Sequence, residues 1–299
     1  MIFLKRSRAE RIFGVANVIF MVFLCVITIY PYLNQIAISF NDGADSARGG
    51  VTIFPRVFTT QNYKMILLSS DFARAAVISV LKVVLVTVLS VAVSYSAAYG
   101  LTRKGLPYKR GITLYLMLSA YISAGVIPTY LLYRYLHIIN TFWVYVFPVL
   151  FSFYNMIIIR SFLQEIPPSL EESAKIDGAT DLQIMVKIIV PVSMPVIATV
   201  ALWVAVGTWN GWTDTLMYVT DKDLFTLQYL MMRLIKESEA AQQMALELSM
   251  SQSVETVHKT TSESVKAATL IVTTLPIILV YPFLQKYFIK GVTLGAVKE

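Results

Sequence analysis

The chain has 299 residues, 57% of them hydrophobic and 14% charged, where a soluble domain carries about 25% charged residues. So few polar side chains cannot cover a water-facing globule, and the composition makes lipid the main solvent. The formal net charge of +7 does not point to nucleic acid, because the basic residues lie scattered between apolar runs, as membrane topology demands.

Several chemistries are excluded early. Cys25 is the only cysteine, so there is no intramolecular disulfide and no cysteine-rich metal site. His137 and His258 lie far apart without a second ligand at helical spacing, which argues against a metal centre. Neither G-x-x-x-x-G-K-[ST] nor G-x-G-x-x-G occurs, so no nucleotide or other cofactor is expected on this chain. Glu171 and Glu172 are adjacent, and adjacent helical residues point in different directions. The other carboxylates, Asp214, Asp221 and Asp223, have no nucleophile–base partner on a helical face. An enzyme is not expected.

In chain order, residues 1–11 are basic (Lys5, Arg6, Arg8, Arg11) and read as a cytoplasmic N-terminus. The apolar run 12–33 exceeds the roughly 7–15 residues of a signal-peptide core and lacks a small-residue cleavage site. Leu24 before Cys25 also fails the requirement of a lipoprotein site. The run therefore reads as a retained first transmembrane helix. Residues 34–72 form an outer loop with turns at Asn41-Asp42-Gly43 and Gly49-Gly50. Helix two spans 73–101, interrupted by Lys82. An ionisable group at such depth is a functional-site candidate, unless it lies near the outer end and snorkels to the interface.

Arg103, Lys104, Lys109 and Arg110 then make a short cytoplasmic loop. Helix three covers 111–133, loosened by Gly125 and Pro128, and helix four covers 141–163. A polar segment, 165–187, precedes helix five at 188–209, where Pro191 and Pro195 predict a kink. The outer loop 213–264 shows helical periodicity at Leu230, Leu234, Met244 and Leu248. Helix six covers 265–288, and 291–299 form a cytoplasmic tail. The fold class is all-α integral membrane, with six transmembrane helices, both termini cytoplasmic, and a cytoplasmic helix-turn-helix between helices four and five.

That polar segment carries its own punctuation. Ser169 with Glu172 predicts a capping box opening a helix at Leu170, and Gly178 predicts its left-handed end. Thr180 with Gln183 repeats the box and restarts a helix running toward Pro191. The small residues Ser173, Ala174, Gly178 and Ala179 leave room for close approach by another protein. The segment reads as a docking element.

Glu172-Ser173-Ala174, Ile176-Asp177-Gly178-Ala179 and Ile188…Pro191…Pro195 resemble the EAA loop of permease subunits from ATP-binding-cassette (ABC) importers. Ser173 stands where most of that family carries Ala. Arg160-Ser161-Phe162…Ile166-Pro167, Trp209-Asn210 and the closing stretch 287–298 are similar to the carbohydrate branch. The likeness is to the maltose-type smaller subunit, and most of all to subunits for complex or uronate-containing oligosaccharides.

The resemblance implies a heteromer in the bacterial inner membrane: a second homologous permease, an ATPase dimer using ATP and Mg, and an extracytoplasmic solute-binding protein. The cargo would be an oligosaccharide, moved by alternating access. A non-sugar solute remains the alternative, and an ion-coupled carrier a weaker one, because no carboxylate lies inside the six runs. The resemblance would also seat Leu170, Glu171, Glu172, Ser173, Ala174, Ile176, Asp177, Gly178 and Ala179 at an ATPase cleft, with Glu172 and Asp177 touching its surface. Tyr121, Tyr130, Asn155, Trp203, Trp209 and Asn210 are the candidates for the sugar path, against interface anchoring or core packing for each. Loop 213–264 reads as either a spacer or a contact for the binding protein.

Overall fold

The computed structural model describes residues 8–103, 105–250 and 262–296. The first basic residues Lys5 and Arg6, the loop residue Lys104, His258 and residues 297–299 of the tail lie outside that range. Among the described residues the chain is all-helical, and its one β-contact is an isolated bridge between Asn41 and Phe58.

Two compact units can be distinguished, one of residues 1–69 with 233–274, the other of 70–232 with 275–299. In the first, α1 (Arg8–Ser39) is followed by two short helices, α2 (Gly43–Ser46) and α3 (Gln61–Leu67). Between 12 and 33, α1 is apolar on all sides and, Gly14 apart, exposed, the pattern of a helix facing lipid or another chain. The link after it is not loose. The fully buried Asn41 amide donates to Asp45 (2.9 Å) and Ser46 (2.8 Å), while its oxygen accepts from the backbone N–H of Arg56 and Val57, each at 2.8 Å. Asn62 joins the knot by donating to the carbonyls of Ser39 and Asn41. The Asn41 hydrogen bond, with Arg56 beside it, holds the Asp45 carboxyl below its ordinary 3.8.

The second unit is built around α4 (Ser70–Thr102), which packs along α7 (Phe153–Glu165) and α11 (Met194–Asn210). One face of α4 presents Ser90, Ser94 and Ala98, all buried and four residues apart. Small side chains at that spacing let neighbouring helices approach closely. Tyr95, Tyr99 and Leu101 of α4 then meet Met156, Ile159 and Leu163 of α7 and Val196 and Val200 of α11 in one apolar core.

Spans three, four and five are all broken, three and five near the residues expected to loosen or kink them, and four where no break was expected. Helix three divides into α5 (Lys109–Tyr121) and α6 (Val126–Tyr135), bent by 111°. Gly125 causes the break by adopting φ +85°, a conformation that stops a right-handed helix. The region 141–163 opens with 3₁₀ turns at Phe142–Tyr145 and Phe147–Val149, bends by 48°, and becomes α-helical only at Phe153. Residues 181–210 bend by 81° at Ser193, between the two prolines that predicted a kink. Among the described residues, three helices are long and apolar enough to cross a membrane, or up to six if each bent pair is one span.

Lys82 does not snorkel. Its residue is 2% exposed, and its ammonium donates to the carbonyl of Gly211 (3.2 Å) and to Asp214 (3.5 Å) above the Tyr145 ring. The protein itself therefore takes up this charge, at the gap between α11 and the short helix α12 (Thr213–Tyr218). Beyond it, α13 (Leu227–Met250) occupies much of the expected outer loop, and α14 (Ser262–Ala296) includes the expected sixth helix.

Asn41→Leu keeps the shape of the knot and strips two part-buried backbone donors, the N–H groups of Arg56 and Val57, of their acceptor. The expected cost is about 2–4 kcal/mol, read as faster protease cleavage of residues 42–60 in the otherwise native protein.

Candidate functional site

The candidate docking segment starts where α7 stops at Glu165 and Ile166 turns extended. Pro167-Pro168 follows, and α8 runs Ser169–Ile176. The Ser169–Glu172 capping box does not form. Pro168 is itself in the helical region at the N-cap, so the first-turn N–H groups bond to the carbonyls of Pro167 and Pro168. Proline suits a helix start because its fixed φ is already helical. Ser169 is thereby drawn into the first turn, where its hydroxyl makes no cap bond.

The other end is closed tightly. Gly178 takes φ +80°, its N–H donates to the Lys175 carbonyl, and the Ala179 N–H donates to the Ala174 carbonyl, each at 3.0 Å. This is a Schellman ending with glycine in the left-handed position. The second capping box does form: Thr180 Oγ1 accepts from the Gln183 N–H, and Gln183 Oε1 accepts from the Thr180 N–H. It opens α9 (Asp181–Ile184), a π turn at Met185–Ile189 and α10 (Val190–Val192). Pro191 has no N–H to donate back along the helix, and Ser193 repairs the bend by bonding Ile189 and the hydroxyl of Tyr95 on α4, both at 2.7 Å.

The nine candidate docking residues divide by direction. Ala174 is buried in the core, Ala179 packs beside it, and Glu171 is held by Arg103. Leu170, Glu172, Ser173, Ile176, Asp177 and Gly178 face outward. Ile176 is 86% exposed, and Leu182 just beyond the turn is 67% exposed. The segment thus offers a row of apolar and acidic groups backed by a rigid turn.

Of the six sugar-path candidates, the structure brings two together. Asn155 and Trp203 line an open cavity of about 270 Å³ with Ser90, Ser152, Phe151, Gly207 and Thr208. Tyr154 stacks on Trp203 with ring centroids 6.2 Å apart. Among the described residues, no hydrogen bond ties the Asn155 amide or the hydroxyls of Ser90 and Thr208 to another side chain or backbone group. The cavity therefore offers neutral donors and acceptors beside an indole. The remaining four lie elsewhere. Tyr121 is exposed, Tyr130 stacks on Tyr218, Trp209 lines a separate apolar cavity, and Asn210 donates to the carbonyl of Val206. Ser90, Ser152 and Thr208 were missed from sequence. Ser90 and Ser94 at a four-residue spacing in an apolar run were the available signal.

Residues 12–294 match the family of binding-protein-dependent transport system inner membrane components, and the chain belongs to that family. It is 34% identical to Protein LplC of Bacillus subtilis (strain 168), over 99% of this chain and 98% of that one. It is 32% identical to the polygalacturonan/rhamnogalacturonan transport system permease protein YtcP of the same organism, over 97% and 99%. Among solved structures, a chain of a bacterial ABC transporter involved in the import of the acidic polysaccharide alginate superposes with a TM-score of 0.84 at 26% identity. That match covers 95% of this chain and 99% of the other. The resemblance read from the EAA-like loop is thus upheld. The chain is a permease component and not an enzyme, the ATPase of such transporters being a separate subunit.

Proposed function

We propose that this permease carries an oligosaccharide into the cytoplasm by ATP-driven alternating access, with α8 as the element that docks on an ATPase subunit. The observation that carries the docking role is the rigidly closed helix α8. Its outward row Leu170, Glu172, Ser173, Ile176 and Asp177 is exposed throughout. A chain without a nucleotide motif needs such a contact to receive work from ATP. In this reading Glu172 and Asp177 meet the ATPase surface, and Glu171 and Ala174 hold the helix from behind.

The basic residues of the N-terminal segment 1–11 and of the loop after α4 (Arg103, Lys104, Lys109 and Arg110) support a cytoplasmic position for α8 and for both termini. Six crossings follow if each bent pair is one span. The working assembly pairs this chain with a second homologous permease, an ATPase dimer using ATP and Mg, and an external solute-binding protein met by the region 213–264.

The cargo reading rests on the relatives that handle polygalacturonan and alginate and on the Asn155–Trp203 cavity. Saccharides are held by aromatic stacking together with neutral hydrogen bonds, which is what that cavity provides. Uronate-containing oligosaccharides are the substrates to assay first.

Two outcomes follow in proteoliposomes holding the full transporter. Apart from its chain neighbours, no atom lies within 4 Å of a Cβ built on Gly178, so only its backbone conformation resists substitution. Asparagine tolerates that conformation and a β-branched residue does not. Gly178→Asn should keep binding-protein-stimulated ATPase activity and uptake, while Gly178→Val, still assembled, should lose most of both. Wild-type coupling in Gly178→Val would remove α8 from the lever role. For the cavity, Asn155→Ala and Trp203→Ala should each raise the apparent KM for uptake about three- to tenfold, with Tyr121→Ala unchanged. An unaltered KM in both cavity variants would assign the sugar contacts to the partner permease.

A further inference from the structure

The polar groups around α8 are distributed unevenly, and its bidentate ion pair is made with one residue just past the end of α4. Arg103 lies one position beyond the end of α4. Its Nη1 and Nη2 donate to Glu171 Oε2 and Oε1 at 2.5 and 2.9 Å, a bidentate pair. The guanidinium lies over the Tyr99 ring, 3.8 Å from its centroid, one turn back along α4. The Tyr99 hydroxyl in turn donates to the backbone carbonyl of Asp181 at 3.2 Å. The Asp181 carboxylate stands 4.0 Å from Arg103 and 3.5 Å from Lys175 of α8.

Geometry separates this pair from an ordinary surface ion pair. The two side chains are only 20% and 29% exposed, and the planar fork of arginine fits a carboxylate in one orientation. Stacking on Tyr99 fixes the plane of the guanidinium, and bidentate bonding then fixes the carboxylate. Glu171 immediately precedes the outward-facing Glu172. The last turn of α4 therefore grips α8 at its start through Glu171 and reaches the start of α9 through Tyr99. It spans the glycine turn from the side opposite the exposed row. Without the ion pair, the eight-residue α8 would rest on the unit mainly through the methyl group of Ala174.

We propose that Arg103 is the positioning residue that makes α8 a rigid extension of α4. A displacement of α8 is thereby delivered to α4, the helix that carries Ser90 of the cavity and Tyr95 at the Ser193 bend. The inference rests on α8 being the ATPase-docking helix. Glu171 belongs to the clasp, and Glu172 beside it to the docking face, so neighbouring carboxylates of like chemistry serve opposite sides of the helix. Arg103 touches neither sugar nor nucleotide and acts through α8.

The test uses the complete transporter in proteoliposomes, with its binding protein and a substrate that the wild type imports. It measures sugar imported per ATP hydrolysed for Arg103→Ala, Glu171→Ala, Arg103→Lys and the reversal Arg103→Glu/Glu171→Arg. Co-purification of the ATPase reads assembly separately. The two alanine variants should hydrolyse ATP with import per ATP reduced roughly tenfold. Arg103→Lys should also fall, because an ammonium keeps the charge and loses the fork. The reversal should regain at least threefold over either alanine variant, a recovery that a loss of bulk packing does not give. Wild-type import per ATP in the alanine variants, or a reversal no better than they are, overturns the clasp. Should an alanine variant fail to assemble, Arg103→Lys decides: a reduced ratio supports the clasp and a wild-type ratio overturns it. Gly178→Val in the same assay separates the two readings. If it stays coupled, the docking reading itself fails. If it uncouples while the Arg103 variants do not, only the clasp fails.

Discussion

Lipid offers no hydrogen bonds, so each interruption of a membrane helix has to be closed by the protein. That constraint organises the second unit. The bend at Ser193 is closed by the serine side chain and by Tyr95. The gap after α11 is closed by Lys82, which donates to the Gly211 carbonyl and neutralises Asp214. The turn after α8, which lies outside the spans, is likewise closed by the Schellman bonds of Gly178 and Ala179. Two of these three closures engage α4, the bend through Tyr95 and the gap through Lys82. A buried lysine in an apolar span is costly unless paired; here its charge helps to hold a broken helix together.

From that arrangement α4 emerges as the mechanical centre of the unit. Its small-residue face, Ser90, Ser94 and Ala98, allows close contact with α7 and α11. Farther along the same helix, Tyr99 and the following Arg103 bind the segment 171–181. Packed interiors are nearly incompressible, so a load applied at α8 reaches α4 with little loss if the ion pair holds. The cavity lined by Ser90, Asn155 and Trp203 lies among the same three helices. The proposed docking helix and the proposed sugar cavity thus belong to one connected body and share no residue.

Much of this was legible in the sequence where chemistry is local. Gly178 at positive φ, the Thr180–Gln183 box and the kink between Pro191 and Pro195 all follow from short-range backbone rules. The Ser169 box was misread for a local reason too, since a helical Pro168 displaced the serine from the cap position. The break at 122–125 was signalled by Gly125 but not its size, and the break at 150–152 was hidden because an apolar run looks the same whether it is one helix or two. Long-range pairing was invisible in principle. Glu171 lies 68 positions from Arg103, and nothing in its immediate neighbours separates its role from that of Glu172. The cavity was half visible: Asn155 and Trp203 stood out as sugar-binding types, whereas Ser90 and Thr208 gain meaning only when α4 and α11 lie side by side.

The central claim is that α8 and α4 move as one body. The direct measurement is the distance between spin labels at Ser169 and Ser96, both exposed and outside the docking row, after replacing the single native Cys25. In the full transporter this distance should be the same in the nucleotide-free and ATP-trapped states. It should lengthen and broaden when Arg103→Ala is added. A shift of several ångströms between the two states with the clasp intact would contradict the account.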